Sequence, residues 1–303
     1  MEKIKIGYFA DGSWGVESLK RILKDKNISI NFICLRYNSE DQDIKKIAKN
    51  NKIDCFTHKD INSYDFLKRI KKYKSDLFVS MSFDQIFKEN IINLPKYNII
   101  NCHAGKLPFY RGRNVLNWVL INDENEFGIT VHYVDKGIDT GDIILQESYK
   151  ITDDDTYATL LKRSYQHCSN LLIKAINKIR NNNIRPIKQE KIHPVGFYCG
   201  RRGSGDELLS WNQTSREVFN FVRAICKPGP MARTFLNNKE MKINKVTMIK
   251  NAPNYKSIVG QILKKTKKGF IVKTKDSIVE VIDYYYKDKI KVGSRFSYKK
   301  KEY

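Results

Sequence analysis

A chain of 303 residues with 41% hydrophobic and 12% aromatic content can bury one large core or two smaller ones, which excludes a disordered chain. The opening MEKIKIGYFADG has no apolar leader core and no apolar run approaches the ~20 residues of a membrane span, so a cytoplasmic protein without a membrane partner is expected. The formal charge is +23, with +15 of it in residues 201–303. Such a basic third suits RNA or a diphosphate, but its lysines recur singly and in pairs among strand-like runs, the pattern of solvated faces in a Lys/Asn/Ile-rich chain.

The elements alternate from the start. Lys3 to Phe9 reads as a strand, and Asp11-Gly-Ser-Trp-Gly15 turns into a helix with Leu19, Ile22 and Leu23 on one face. Ile28 to Cys34 is the next strand. It is followed by Arg36 rather than an acidic ribose ligand, and G-x-G-x-x-G is absent, so a dinucleotide site is not expected. Ile44 to Lys49 and Tyr64 to Ile70 are helix-like, Asp76 to Met81 is a buried strand, Phe83 to Ile92 a short helix, and Tyr97 to Asn101 a strand. Strands alternating with helices predict an α/β domain, a Rossmann-like parallel sheet with helices on both faces. In such sheets ligands lie beyond the carboxyl ends of the strands, where Asn101 and His103 fall.

After Asn101 come a loop with Pro108 and Gly112, a helix-like run around Val115 to Ile121, a strand from Ile129 to Val134, and a turn, Gly137-Ile-Asp139-Thr-Gly141. A long helix opens after Asp153-Asp-Asp-Thr156. Its stripe of Ala158, Leu161, Tyr165, Cys168, Leu172, Ala175 and Ile179 leaves His167 as a surface residue. The irregular stretch to Gly205 reads as an ordered linker. Thr214-x-x-Glu217 is a capping box for a helix through Ile225. Strand-like runs follow at Met241 to Ile249, Ile258 to Leu263, Phe270 to Lys273 and Ser277 to Tyr284, with a turn at Lys268-Gly269, as in a small OB-like β-barrel. Domains are expected at 1–189 and 206–303, with 190–205 between them.

Taken as chemistry, Asn101, His103 and Asp139 suit acyl transfer. An amide N–H can donate to a developing oxyanion, a histidine exchanges protons near neutral pH, and an aspartate can orient that histidine and favour its protonated form. Spacing alone does not bring Asp139 to His103. Cys102, on the opposite face of the strand, reads as packing. The scattered cysteines form no C-x-x-C pair, which points away from zinc and from a disulfide framework, so no metal is expected.

The run Asn101-Cys-His103-Ala-Gly105-Lys-Leu107-Pro108-Phe-Tyr-Arg111-Gly112, with the later Gly137-Ile-Asp139-Thr-Gly141, resembles the folate-dependent formyltransferase family. The resemblance extends over nearly the whole chain, including the C-terminal barrel. It implies 10-formyltetrahydrofolate as formyl donor and Asn101, His103 and Asp139 as catalytic residues. It also implies donor-binding positions at Gln85, Ile86, Phe87, Arg113, Asp135, Lys136, Gly137 and Ile138. Phe83 reads as ordinary core. Within the family, Tyr110-Arg-Gly-Arg113-Asn-Val-Leu116-Asn-Trp118 and Arg201-Arg202-Gly-Ser-Gly-Asp206-Glu-Leu-Leu-Ser-Trp211 are similar to enzymes that formylate nucleotide-linked 4-amino sugars. The loop Arg36-Tyr-Asn-Ser-Glu-Asp-Gln-Asp43 is acidic on balance, where tRNA-formylating members carry a basic loop. A nucleotide-linked amino sugar is therefore the expected acceptor. Charged initiator tRNA is the alternative, and an inactive folate or nucleotide-sugar binder the weaker one.

Overall fold

The structure is a computed structural model and describes residues 3–297. The chain divides into two compact units, one of residues 1–112, 127–149 and 162–199, the other of residues 113–126, 150–161 and 200–303.

In the first unit, β1 (Ile4–Ala10), α1 (Gly12–Ile22), β2 (Ile28–Leu35), α2 (Gln42–Asn50), β3 (Asp54–Thr57), α3 (Tyr64–Lys71), β4 (Leu77–Met81), α4 (Glu89–Ile92) and β5 (Ile99–His103) alternate along the chain. The short β6 (Arg111–Gly112) follows, then α5 (Val115–Ile121), which belongs to the second unit, then β7 (Glu126–Tyr133) and β8 (Ile143–Lys150). One seven-stranded sheet runs in the order β3-β2-β1-β4-β5-β7-β8. β3 through β5 are parallel, but β7 runs antiparallel to β5. The expected all-parallel sheet is thus a mixed one, with helices on both sides. The reversal matters for the site, because its register sets Asn101 opposite His132 and His103 opposite Thr130.

The apolar face that holds this sheet is aromatic. Phe9 is fully buried and its ring centroid lies 5.7 Å from Phe32, 5.4 Å from Phe78, 5.5 Å from Phe83 and 5.2 Å from Phe87. This cluster explains why the expected helix from Phe83 shrinks to Glu89–Ile92. Phe83 and Phe87 are both drawn into the core, and Asn62 takes the backbone on either side of Phe87, donating to Ile86 O at 2.9 Å and accepting from Lys88 N at 2.8 Å. Backbone groups spent on a side chain are lost to helix formation. β3 and β8 escaped the sequence reading because they are short or largely polar, with β8 reading IILQESYK. His167 is half-buried rather than a free surface residue, and stacks on Tyr149 at 3.8 Å between centroids.

α6 (Tyr157–Arg180) is followed by the short β9 (Tyr198–Cys199), which pairs in parallel with β6. In the second unit, α7 (Ser215–Ile225) starts at the expected capping box, Thr214 with Glu217. Arg216 grips Asp123 through Nε at 2.9 Å and Asp153 through Nη1 at 2.6 Å, and Asn117 donates to Ala224 O at 2.5 Å. These bonds bind α5 and the 150–161 segment to α7. β10 (Ala232–Leu236), β11 (Lys239–Met248), β12 (Ile262–Lys265), β13 (Phe270–Lys273), β14 (Ile278–Tyr285) and β15 (Phe296–Ser297) form an antiparallel sheet in the order β12-β13-β14-β11-β10-β15. Its two edges meet through the Gln261–Arg295 bridge and the Phe296 N–H to Gly260 O bond of 2.9 Å, so the sheet closes as a small barrel. Trp211 and Phe296 stack inside it at 5.1 Å.

Replacing Phe9 with alanine removes the ring shared by both halves of the aromatic cluster. The expected loss is ~3–5 kcal/mol, read as a lower midpoint at unchanged slope in urea unfolding.

Candidate active site

Strand ends build the site. Asn101 and His103 lie on one face of β5, two residues apart, and His132 on β7 stands directly across from Asn101. Cys102 points the other way and is buried, its Sγ 3.5 Å from Cys168 O. The loop after β5 bends back, so that His103 Nε2 lies 2.7 Å from Tyr110 O. Only glycine fits inside this bend. A Cβ on Gly105 would stand 2.5 Å from both His103 Nε2 and Tyr110 O. Thr130 closes the loop from beneath, donating to Gly105 O at 2.7 Å.

Asp139 arrives from the turn between β7 and β8. The turn is tight: Asp135 Oδ1 accepts from Gly137 N at 3.0 Å and from Thr140 Oγ1 at 2.6 Å, and a Cβ on Gly141 would lie 1.9 Å from Tyr133 O. Asp139 itself takes a left-handed φ of 54°. Its carboxylate is 13% exposed and lies between two histidines, Oδ2 at 3.6 Å from His103 Nδ1 and Oδ1 at 3.5 Å from His132 Nε2. Gly112 N donates to Oδ2 at 2.9 Å.

The hydrogens of the site follow from these partners. A carbonyl can only accept, so His103 Nε2 carries the hydrogen it gives to Tyr110 O, and His132 Nδ1 the hydrogen it gives to Tyr133 O at 2.7 Å. Each ring then turns its other nitrogen toward Asp139. Asn101 Nδ2 lies 3.2 Å from His132 Nε2, the same nitrogen that stands 3.5 Å from Asp139 Oδ1; unprotonated it accepts an N–H from Asn101, and protonated it donates to Asp139. Burial by itself pushes the Asp139 carboxyl upward, but the charge of His103, the hydrogen bond and charge of His132, and the Gly112 N–H outweigh it and hold the carboxyl well below the usual carboxylate range. Asp139 is therefore an anion throughout the neutral range. What the arrangement can do is accept a proton between His103 Nδ1 and Asp139 while Asn101 donates to an oxygen gaining negative charge.

The expected donor-binding residues divide by location. Gln85 uses its amide to brace a neighbouring loop, donating to His58 O at 2.9 Å and accepting from Ile61 N at 3.0 Å. Phe87 is buried in the aromatic cluster. Ile86 and Ile138 are 62% and 55% exposed, and Lys136 pairs with Glu89 at 3.1 Å on the surface. Arg113 is exposed and belongs to the other compact unit. Sequence reasoning passed over His132 and Gln189. A histidine inside the otherwise apolar strand Phe-Gly-Ile-Thr-Val-His was the available signal for the first, and no local pattern marked the second. Among the described residues no cluster of His, Cys, Asp and Glu is arranged to hold a metal ion.

The comparisons with known proteins bear on this geometry directly. Residues 16–176 match the formyl transferase model and residues 204–296 the model of the formyl transferase C-terminal domain. The chain belongs to the formyl transferase family and is a formyltransferase. It is 32% identical over 280 residues to a methionyl-tRNA formyltransferase of Fusobacterium nucleatum, covering 90% of this chain and 89% of that one. Its identity to the bifunctional polymyxin resistance protein ArnA of Wigglesworthia glossinidia is 36% over 200 residues, 66% of this chain but 30% of that larger protein. Among solved structures it is similar to WlaRD, a sugar 3N-formyltransferase crystallised with dTDP and 5-N-formyl-THF, at 25% identity and a TM-score of 0.69, covering 93% of this chain and 98% of that one.

The lowered Asp139 carboxyl has a signature in stability. Its contribution is fully present above the ordinary carboxylate value of about 4 and is lost as pH falls through the lower folded-state value. Melting curves of wild type and Asp139→Asn should run parallel from pH 8 to pH 5 and converge below pH ~4, the wild type losing more. Parallel curves down to pH 2 would remove the anion from its assigned environment.

Proposed function

We propose that this chain transfers a formyl group from 10-formyltetrahydrofolate to the amine of a nucleotide-linked 4-amino-4-deoxy sugar. The observation that carries the chemistry is the cluster of Asn101, His103 and Asp139 at the strand ends, joined through His132 by separations of 3.2 to 3.6 Å. The donor supplies an already activated formyl group. Asn101 gives its second N–H to the formyl oxygen as the acceptor amine adds to the formyl carbon and charge builds on that oxygen. The basic pair of His103 Nδ1 and Asp139 takes up the proton that the amine sheds, and returns it toward the departing nitrogen of the donor. Asp139 stays ionised and fixes the imidazole.

The choice of a sugar acceptor is supported by the loop after β2. Arg36, its first residue, is committed inward, with Nη1 3.3 Å from Asp11 Oδ2 and Nη2 donating to the Ser82 hydroxyl at 3.2 Å. Asp41 caps α2 by accepting from Ile44 N at 2.8 Å, and Glu40 pairs with Lys45. A loop whose one arginine is neutralised and whose remaining charges are acidic repels a polyphosphate backbone. The linker motif offers a second support. The Arg202 guanidinium lies over Trp118 at 5.5 Å and Phe221 at 5.6 Å, and Arg202 N donates to Asn114 at 2.9 Å. Here the Arg-Gly-Arg-Asn and Arg-Arg-Gly motifs that resemble the sugar enzymes meet. The methionyl-tRNA formyltransferase relative, matched over 89% of its length, favours tRNA as the second reading.

The test is a turnover assay with UDP- and dTDP-linked 4-amino sugars beside charged initiator tRNA, each with the formyl donor. Formylation of the sugar is expected, with Asn101→Ala lowering the rate ~10²–10³-fold and His103→Ala and Asp139→Ala abolishing most turnover while the melting transition stays cooperative. Binding of tRNA should be weak and fall steeply with salt. Efficient tRNA formylation at physiological salt with no sugar product would replace the acceptor, and near wild-type turnover by His103→Ala would remove the mechanism.

A further inference from the structure

Gln189 lies outside the motifs that define the site, yet it is 3% exposed and every hydrogen-bonding position of its amide is used. Oε1 accepts from Arg111 Nε at 3.0 Å and from Nη2 at 2.7 Å. Nε2 donates to Asp139 O at 2.8 Å and to Gly141 O at 2.8 Å. Arg111 is buried too, and its remaining nitrogens reach the same segment, Nη1 donating to Val195 O at 3.1 Å and the backbone N to Phe197 O at 3.2 Å. The next residue is Gly112, whose N–H holds the Asp139 carboxylate.

Asp139 is thus held at both ends by consecutive residues of one strand. Gly112 takes the carboxylate directly, and Arg111 takes the backbone carbonyl through Gln189. The second hold is needed because Asp139 sits at φ 54°, a left-handed conformation that a residue with a Cβ leaves unless its surroundings fix it. Relaxation of the turn would rotate the Cα–Cβ direction and carry the carboxylate away from both imidazoles. From this closed circuit we infer that Gln189 is a positioning residue for formyl transfer, clamping the Asp139 turn so that one carboxylate faces His103 and His132 together. The inference rests on the role given to Asp139 above.

Two substitutions separate positioning from packing. Gln189→Met keeps the volume and loses both sets of bonds. Gln189→Glu keeps the acceptor pair for Arg111 but sets a carboxylate oxygen against the carbonyls of Asp139 and Gly141. Both should lower kcat ~10²-fold, as a displacement of about 1 Å does, with KM for donor and acceptor within about twofold of wild type. Both should also raise the titration midpoint of the Asp139 side-chain carboxyl, followed by 13C NMR of the full chain, toward the ordinary aspartate range. If Gln189→Met does not fold, the same readings on Gln189→Glu decide. Wild-type kcat in the folded variants, or a loss of kcat with an unmoved Asp139 titration, overturns the inference. Asp139→Asn is assayed in parallel. If it retains full turnover, the role of Asp139 itself fails. If it is inactive while the Gln189 variants keep wild-type kcat, only the role of Gln189 fails.

Discussion

A carboxylate taken out of water is stable only where positive charge and hydrogen-bond donors replace its hydration. Asp139 meets that condition with two imidazoles at 3.5 and 3.6 Å and a backbone N–H at 2.9 Å. Each of these partners comes from a different part of the chain: β5, β7 and the end of β6. The anion is the point at which these segments are joined, and removing it would leave two imidazole nitrogens facing each other across an empty space. The hydrogen on each ring's far nitrogen is fixed elsewhere, by Tyr110 O for His103 and Tyr133 O for His132, so the nitrogen facing Asp139 is the one that takes up the proton which stabilises the anion.

The sheet supplies the precision. β5 is the last parallel strand, and the antiparallel β7 beside it sets Asn101 and His132 directly opposite one another. Because side chains alternate along strands, a one-residue slip of β7 would put His132 on the far face and replace it with Val131 or Tyr133. The aromatic cluster around Phe9 and Phe32 holds the strands in place on one face, and the polar residues of the site lie at the strand ends rather than within that core. Ligand chemistry at the carboxyl edge of an open sheet is the expected arrangement for this architecture. The mixed sheet adds to it a strand that arrives from the opposite direction and brings a second histidine.

Glycines set the limits on this geometry. Gly105 lets the loop close far enough for His103 Nε2 to reach Tyr110 O, and Gly141 lets the Asp139 turn pass against Tyr133 O, in places where a Cβ would stand within 2.5 Å of an existing atom. Both belong to motifs that also carry a side chain of the candidate site. The spacing of those motifs therefore encodes backbone approach as much as chemistry.

The sequence by itself determined the family, the three residue types proposed for catalysis, the alternation of strands and helices in the first 100 residues, the capping box of α7 and the barrel that follows it. These are local matters of period, turn residues and motif spacing, and local physics decides them. Tertiary structure alone decided that Asp139 meets His103, that His132 stands beside Asn101, and that Gln189 ties the Asp139 turn to Arg111. These pairs are separated by tens of residues, and their meeting depends on the direction and register of β7. The same holds for the lost helical turn at Phe83, where the pull of the aromatic core and the side chain of Asn62 overrode a helix-like pattern. A pattern reports what a segment can do alone. Contacts between distant segments are settled by competition among all of them for burial and hydrogen bonds, and no single stretch of sequence records the outcome.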